Sequence, residues 1–308
     1  MENTKIVSVK NFQMRFGEKT IIEDLSFEVE KGEVFGLLGS NGSGKTTTIR
    51  ALLDIYQPTA GELLIDGKRF LPEMSGSLGY LPEERGLYKK ETVLDTMVYF
   101  GQLKGLRRKE AKEWAEKYLE RVELIDSAGQ VLGKLSGGQQ QKVQLGVTIM
   151  NDPKLLILDE PTKGFDPVNR RLMMDIIQEL VAKGSTVILV THQMEEVEKL
   201  CTRLLLLKDG KRRLYGSVPE IKRQYGKNSI IVEYAGSLKP NDILFTIINN
   251  TSQSAELAPK DGVAVDEIFS YLGAQDGLKV SGFHVEQAKL DDIFVQIYRK
   301  EGKEDVYA

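Results

Sequence analysis

Three short runs in this chain are apolar at nearly every position: Val34–Leu38, Leu155–Leu158 and Val187–Val190. A strand with one wet face would alternate, so unbroken runs of this length predict strands buried on both faces, in a parallel sheet covered by helices. In such sheets, ligands sit beyond the carboxyl ends of the strands. The three runs lead directly into GSNGSGKT, DEPT and TH. Elsewhere the pattern differs. Ile6–Phe12, Ile22–Glu30 and Gly61–Ile65, with Asp66-Gly67 as a turn, predict antiparallel structure. From Thr92 to about Ile125 the pattern is helical and highly charged, with Trp114, Tyr118 and Leu119 on one packing face and Arg107-Arg108-Lys109 as a solvated helix start.

The composition shifts after Tyr225-Gly226. Residues 227–308 hold 8 Lys and Arg against 13 Asp and Glu, a net −5 in a chain whose total is −3. Ile230–Tyr234 and Lys279–Val285 alternate like strands, and Leu290, Ile293, Phe294 and Ile297 recur with helical spacing. Two domains are therefore expected: an α/β domain over residues 1–226 and a small accessory α+β domain over residues 227–308. A chain of 308 residues accommodates both.

Charge and composition narrow the partners. Lys and Arg number 42 against 45 Asp and Glu, so the basic excess of a typical nucleic-acid binder is missing, and no nucleic-acid partner is expected. Cys201 is the single cysteine, which forbids an intramolecular disulfide and fits a reducing compartment. The first twelve residues hold no apolar core of signal-peptide length, and the apolar runs fall far short of the ~20 residues that cross a bilayer. A cytoplasmic chain is expected, with any membrane role supplied by a partner.

The chemistry lies at the strand ends. Gly39, Ser40, Asn41, Gly42, Ser43, Gly44, Lys45 and Thr46 fit the spacing GxxxxGK[ST], and Thr47 continues into a helix. The glycines let backbone N–H groups turn in around phosphate oxygens, Lys45 can reach the β- and γ-phosphates, and Thr46 offers a hydroxyl to Mg²⁺. The helix start adds the positive end of its dipole. Asp159 and Glu160 end a buried strand together. Beside a phosphate loop, Asp159 suits a role toward Mg²⁺ and Glu160 suits activation of an attacking water. Ser136-Gly137-Gly138-Gln139 begins another helix, with Ser136 as a natural cap and free N–H groups open to an anion.

Taken in order, GSNGSGKT, LSGGQ, LLILDEP, Gly164-Phe165-Asp166-Pro167 and Thr191-His192 resemble the nucleotide-binding subunits of ABC transporters, over essentially residues 1–226. The resemblance implies a P-loop NTPase core with an antiparallel β-subdomain and a helical subdomain. It implies ATP and Mg²⁺ as cofactors, Phe16 stacking on adenine, Glu160 as the base and His192 as a switch sensing the γ-phosphate. Ser136 and Gly138 would then meet ATP held by a second copy, with Asp166 beside them, so a homodimer is implied. So is a separate integral membrane permease, with this chain peripheral on the inner face of the membrane.

One position departs from that family. A glutamine usually comes after the Gly-Tyr-Leu-Pro strand and reaches Mg²⁺ and the attacking water; here Glu83 stands in its place, in Leu78–Tyr88. A carboxylate also ligates a hard cation, at the cost of negative charge near the γ-phosphate. The P-E-E-R-G-L-Y run and the Leu290–Phe294 segment resemble the sodium-exporter (Nat-type) branch, which pairs with an ABC-2-type permease. The stretch from Glu84 to about Gln130 is the expected dock for permease helices. The sequence leaves two other readings open: a soluble ABC-type ATPase acting on DNA or ribosomes, and a regulatory module without turnover. The first lacks a long coiled-coil insertion or a second cassette here, and the second sits poorly with both Lys45 and Glu160 present.

Overall fold

The computed structural model describes residues 4–84, 86–226 and 228–301. Arg85, read above within the Pro82–Tyr88 run, and Lys227, at the start of the acidic segment, lie outside the described residues. The chain divides into two compact units, Met1–Val218 and Pro219–Ala308.

In the first unit, β1 (Lys5–Phe16) and β2 (Lys19–Glu30) form an antiparallel hairpin. Val7 and Val9 and, after a register shift, Phe12 and Met14 bury one side of β1. The fully buried β3 (Val34–Leu38) leads through the glycine-rich loop into α1 (Lys45–Leu52). Strand β4 (Ala60–Ile65) then returns to the other edge of β1, giving a three-stranded sheet in the order β2-β1-β4.

The helical region is two helices where the sequence pattern reads as one stretch: α2 (Val93–Leu103) and α3 (Arg108–Arg121). Gly105 breaks the run with φ 92°, and Arg107 starts the next helix by pairing with Glu110. Trp114 stacks on Tyr118 with ring centres 5.1 Å apart, and Tyr118 and Leu119 are buried. Helix α4 (Gly137–Ile149) packs against β5 (Leu78–Leu81) and α2.

The central sheet has six strands. β5, β6 (Leu155–Asp159), β7 (Thr186–Thr191), β3 and β8 (Arg203–Lys208) are parallel neighbours in the order β5-β6-β7-β3-β8, and β9 (Lys211–Ser217) closes the edge antiparallel to β8. Every residue of β3, β6 and β7 is buried, as their unbroken apolar runs require. Helices α5 (Pro167–Ala182) and α6 (Met194–Leu200) pack on β7. This strand order brings the carboxyl ends of β3, β7, β6 and β5 side by side, so the loops that leave them share one edge.

The second unit holds all but the first residue of α7 (Val218–Tyr225), then β10 (Ser229–Gly236), β11 (Phe245–Asn250), β12 (Ser254–Pro259), α8 (Val265–Gly273), β13 (Leu278–Glu286) and α9 (Leu290–Glu301). Its four strands are antiparallel in the order β11-β12-β10-β13. Ile230, Val232, Phe245 and Leu257 from the sheet meet Ile268 and Leu272 from α8 in a core of its own. Leu290, Ile293 and Phe294 are buried on α9, the face their spacing predicts. Among the described residues, no helix is long and apolar enough to cross a membrane.

Candidate functional site

The loop between β3 and α1 is built to hold a tight backbone path. Gly39 has φ 152°, and a Cβ there would lie 2.2 Å from the carbonyl oxygen of Leu207. Gly44 has φ 107°, and a Cβ would meet Ile22 Cδ1 at 2.4 Å. Neither position accepts a side chain. The N–H of Gly210 donates to the Ser43 carbonyl at 3.1 Å, which fixes the loop from the far edge of the sheet. Lys45 Nζ folds over the loop and donates to the carbonyls of Gly39 and Ser40 at 2.8 and 3.0 Å. Burial, set against the nearby Glu160 and Asp159 carboxylates, holds this ammonium below the ordinary lysine range.

Thr46, on the first turn of α1, donates from Oγ1 to Asp159 Oδ2 at 3.3 Å. Burial first, and the negative charge of Glu83 second, push the Asp159 carboxyl up to about 6. The next residue, Glu160, adopts φ 50°, a left-handed conformation that costs a non-glycine residue about 1–2 kcal/mol. Its N–H donates to the Val190 carbonyl at 2.8 Å, so β7 holds it in that conformation. His192 Nδ1, just beyond β7, donates to Glu160 Oε1 at 2.6 Å. Glu160 Oε2 and Ser43 Oγ are buried with no hydrogen-bond partner. The Ser43 hydroxyl, beside the Gly39 backbone and the free N–H groups of a helix start, can donate to a bound phosphate group, and the unpartnered Glu160 oxygen can accept from a water.

The Thr46 hydroxyl and Asp159 carboxylate are both hard oxygen donors. That donor set suits Mg²⁺, which takes one or two protein oxygens and completes its shell with water and substrate phosphates. Glu83 lies beside them, two residues beyond β5, and its carboxylate is engaged by Lys163 Nζ at 2.6 Å. That hydrogen bond holds the Glu83 carboxyl below the usual range.

The remaining predicted residues lie on other elements. Ser136 caps α4, accepting from the Gln139 N–H at 3.3 Å, while Gln139 Oε1 accepts from the Ser136 N–H at 2.9 Å. Gly137 opens that helix, and a Cβ on Gly138 would touch the Phe165 ring at 3.4 Å. The start of α4 is thereby seated on the Gly164–Asp166 turn. Asp166 caps α5, accepting from the Asn169 N–H at 2.9 Å, which holds its carboxyl below the ordinary range. Phe16 stands exposed at the end of β1, edge-on to Tyr56 with ring centres 5.3 Å apart.

Sequence reasoning missed two features of this edge. Lys163 faces Glu83, a pairing that depends on β5 and β6 being neighbours. Glu196 is 1% exposed and accepts from the hydroxyls of Thr162 and Thr191, the latter at 3.3 Å, which ties the turn after β6 to the end of β7. Burial raises the Glu196 carboxyl above its ordinary range.

The family model for the ABC transporter matches residues 22–163, and that for the C-terminal domain of DrrA1-3-like ATP-binding proteins matches residues 216–298. The chain is 34% identical over 293 residues to an uncharacterized ABC transporter ATP-binding protein of Bacillus subtilis, YhaQ, covering 94% of this chain and 98% of that one. It is 31% identical over 299 residues to the Nod factor export ATP-binding protein I of Burkholderia lata, covering 96% and 97%. Among solved structures, the ATP-binding subunit of an ABC transporter superimposes with a TM-score of 0.67 at 28% identity, over 72% of this chain and 93% of that one.

Proposed function

This chain belongs to the ABC transporter family as an ATP-hydrolysing, ATP-binding subunit, and from that premise we propose that two copies close on two MgATP molecules and drive an ABC-2-type permease in export. The observation that carries this reading is the meeting of four elements on one sheet edge. They are the Gly39–Thr46 loop, the Thr46–Asp159 pair, the Glu160–His192 pair and Glu83.

Each residue then has a distinct task. The loop N–H groups and Lys45 bind the β- and γ-phosphates, and Phe16 offers its exposed ring to the adenine. Thr46 and Asp159 would hold Mg²⁺, which when bound would neutralise charge on the phosphate oxygens. Glu160 takes the proton of the attacking water at Oε2, the oxygen that His192 does not occupy. Ser136, Gly137, Gly138 and Gln139 present the start of α4 to the γ-phosphate held by the other copy, with Asp166 next to them.

The permease dock lies in the α2 region. Tyr88 and Tyr99 are 57% and 46% exposed, with ring centres 5.9 Å apart, and they line a cavity of about 710 Å³ together with residues 87–91, Asp95 and Thr96. Exposed paired aromatics beside charged rims suit an amphipathic helix from a membrane partner. The chain sits on the cytoplasmic face of the membrane through that contact. The export direction follows the Nod factor export relative.

Phosphate release by the purified chain with MgATP tests this reading. Measurable turnover that is lost in Lys45→Ala supports it. Turnover that survives Lys45→Ala, or none in the parent protein with or without permease-containing membranes, contradicts it.

A further inference from the structure

Glu83 adds a negative charge to a site that has to receive a polyanionic nucleotide. Its partner, Lys163, is fixed by the turn after β6, where the Lys163 N–H donates to the Glu160 carbonyl at 3.2 Å. The two side chains meet at 2.6 Å across the sheet edge while remaining 45% and 60% exposed. An ion pair with that exposure adds little to folding, so stability does not account for it. Its location does: after Lys163, the charge that acts on Glu83 is that of Lys45, and Glu83 is the charge that weighs most on Asp159.

We propose that Lys163 is a positioning residue, the counter-ion that makes an acid workable at position 83. It cancels the charge of Glu83 and holds the carboxylate to one side. The phosphate pocket then receives MgATP as it would with a neutral side chain there. The inference rests on the nucleotide-binding reading above. It requires that Lys163 matter only because residue 83 is an acid.

The test is a double-mutant cycle on MgATP affinity, measured by calorimetry on the full chain in a Glu160→Gln background so that nothing turns over. Lys163→Gln should weaken binding about tenfold at low salt when Glu83 is present, and less than twofold when Glu83→Gln is combined with it. Raising the salt should shrink the first loss, because exposed charges are screened. Lys163→Arg should restore most of the affinity. Thermal melts without nucleotide should be alike for all forms, which separates a charge effect from a folding effect. Equal losses with and without the Glu83→Gln substitution, or no loss in either case, would overturn the proposal. A parent protein that binds no MgATP would overturn the nucleotide reading itself, a result distinct from a failed cycle.

Discussion

His192 Nδ1 and Glu160 Oε1 are 2.6 Å apart, and this contact fixes which oxygen of the Glu160 carboxylate is engaged. The other oxygen, Oε2, is buried without a partner. The imidazole, by contrast, is well exposed, so it can also answer to a ligand arriving from outside. His192 therefore orients the Glu160 carboxylate without being part of its burial.

His192→Ala should release the Glu160 side chain while leaving the loop and Lys45 untouched. The expected result is a fall in kcat on the order of 10²-fold with MgATP affinity changed by less than about threefold. Steady-state kinetics and nucleotide binding measured on the same preparation check it. A loss of affinity as large as the loss of rate would place His192 in binding instead.

Asp159 gives a pH prediction with a defined sign. Its folded-state value of about 6 lies above the ordinary 3.8, so between these limits the folded chain holds more protons than the unfolded chain. Stability without nucleotide therefore falls as pH rises through that window, by about 2–3 kcal/mol in total. Asp159→Asn removes the buried charge while keeping an oxygen for Thr46. It should stabilise the nucleotide-free protein at pH 8 and confer almost nothing at pH 4, as read by urea melts. The same variant should lose Mg²⁺-dependent turnover.

The second unit has its own sheet and its own buried cluster around Ile230, Val232, Leu257 and Ile268. All the phosphate, base and metal candidates precede residue 193. A chain ending at Val218 should therefore bind MgATP within about threefold of the full protein, while its ATP-dependent self-association shifts. Calorimetry and sedimentation on the shortened chain decide this. Loss of MgATP binding in a shortened chain that remains folded would contradict the division of labour.

Much of the site was legible because its parts are local. Gly39–Thr46 and Leu155–Glu160 each carry spacing and apolar run in one stretch of sequence, and the strand order then sets them side by side. The hairpin, the three central strands and the Leu290–Phe294 face follow from patterning for the same reason. The hidden features depend on distance or on backbone angle. Lys163 and Glu83 are 80 positions apart and meet only because β5 and β6 are neighbours. The left-handed backbone at Glu160 leaves no mark in a strand ending in acids. Glu196 reads as one more charge on a short helix, until its burial against Thr162 and Thr191 shows it to be a tie. The split between α2 and α3 turns on Gly105, a single residue inside a strongly helical pattern.

If two copies of this chain close around MgATP, and Glu160 is the group that ends the closed state by hydrolysis, then removing the base should trap the pair. Light scattering on the Glu160→Gln variant with saturating MgATP measures this. The expected molar mass is twice the 34.5 kDa of the chain, dependent on both nucleotide and Mg²⁺ and abolished by adding Lys45→Ala. A variant that binds MgATP yet stays at the mass of one chain, or that hydrolyses at the parent rate, would contradict it.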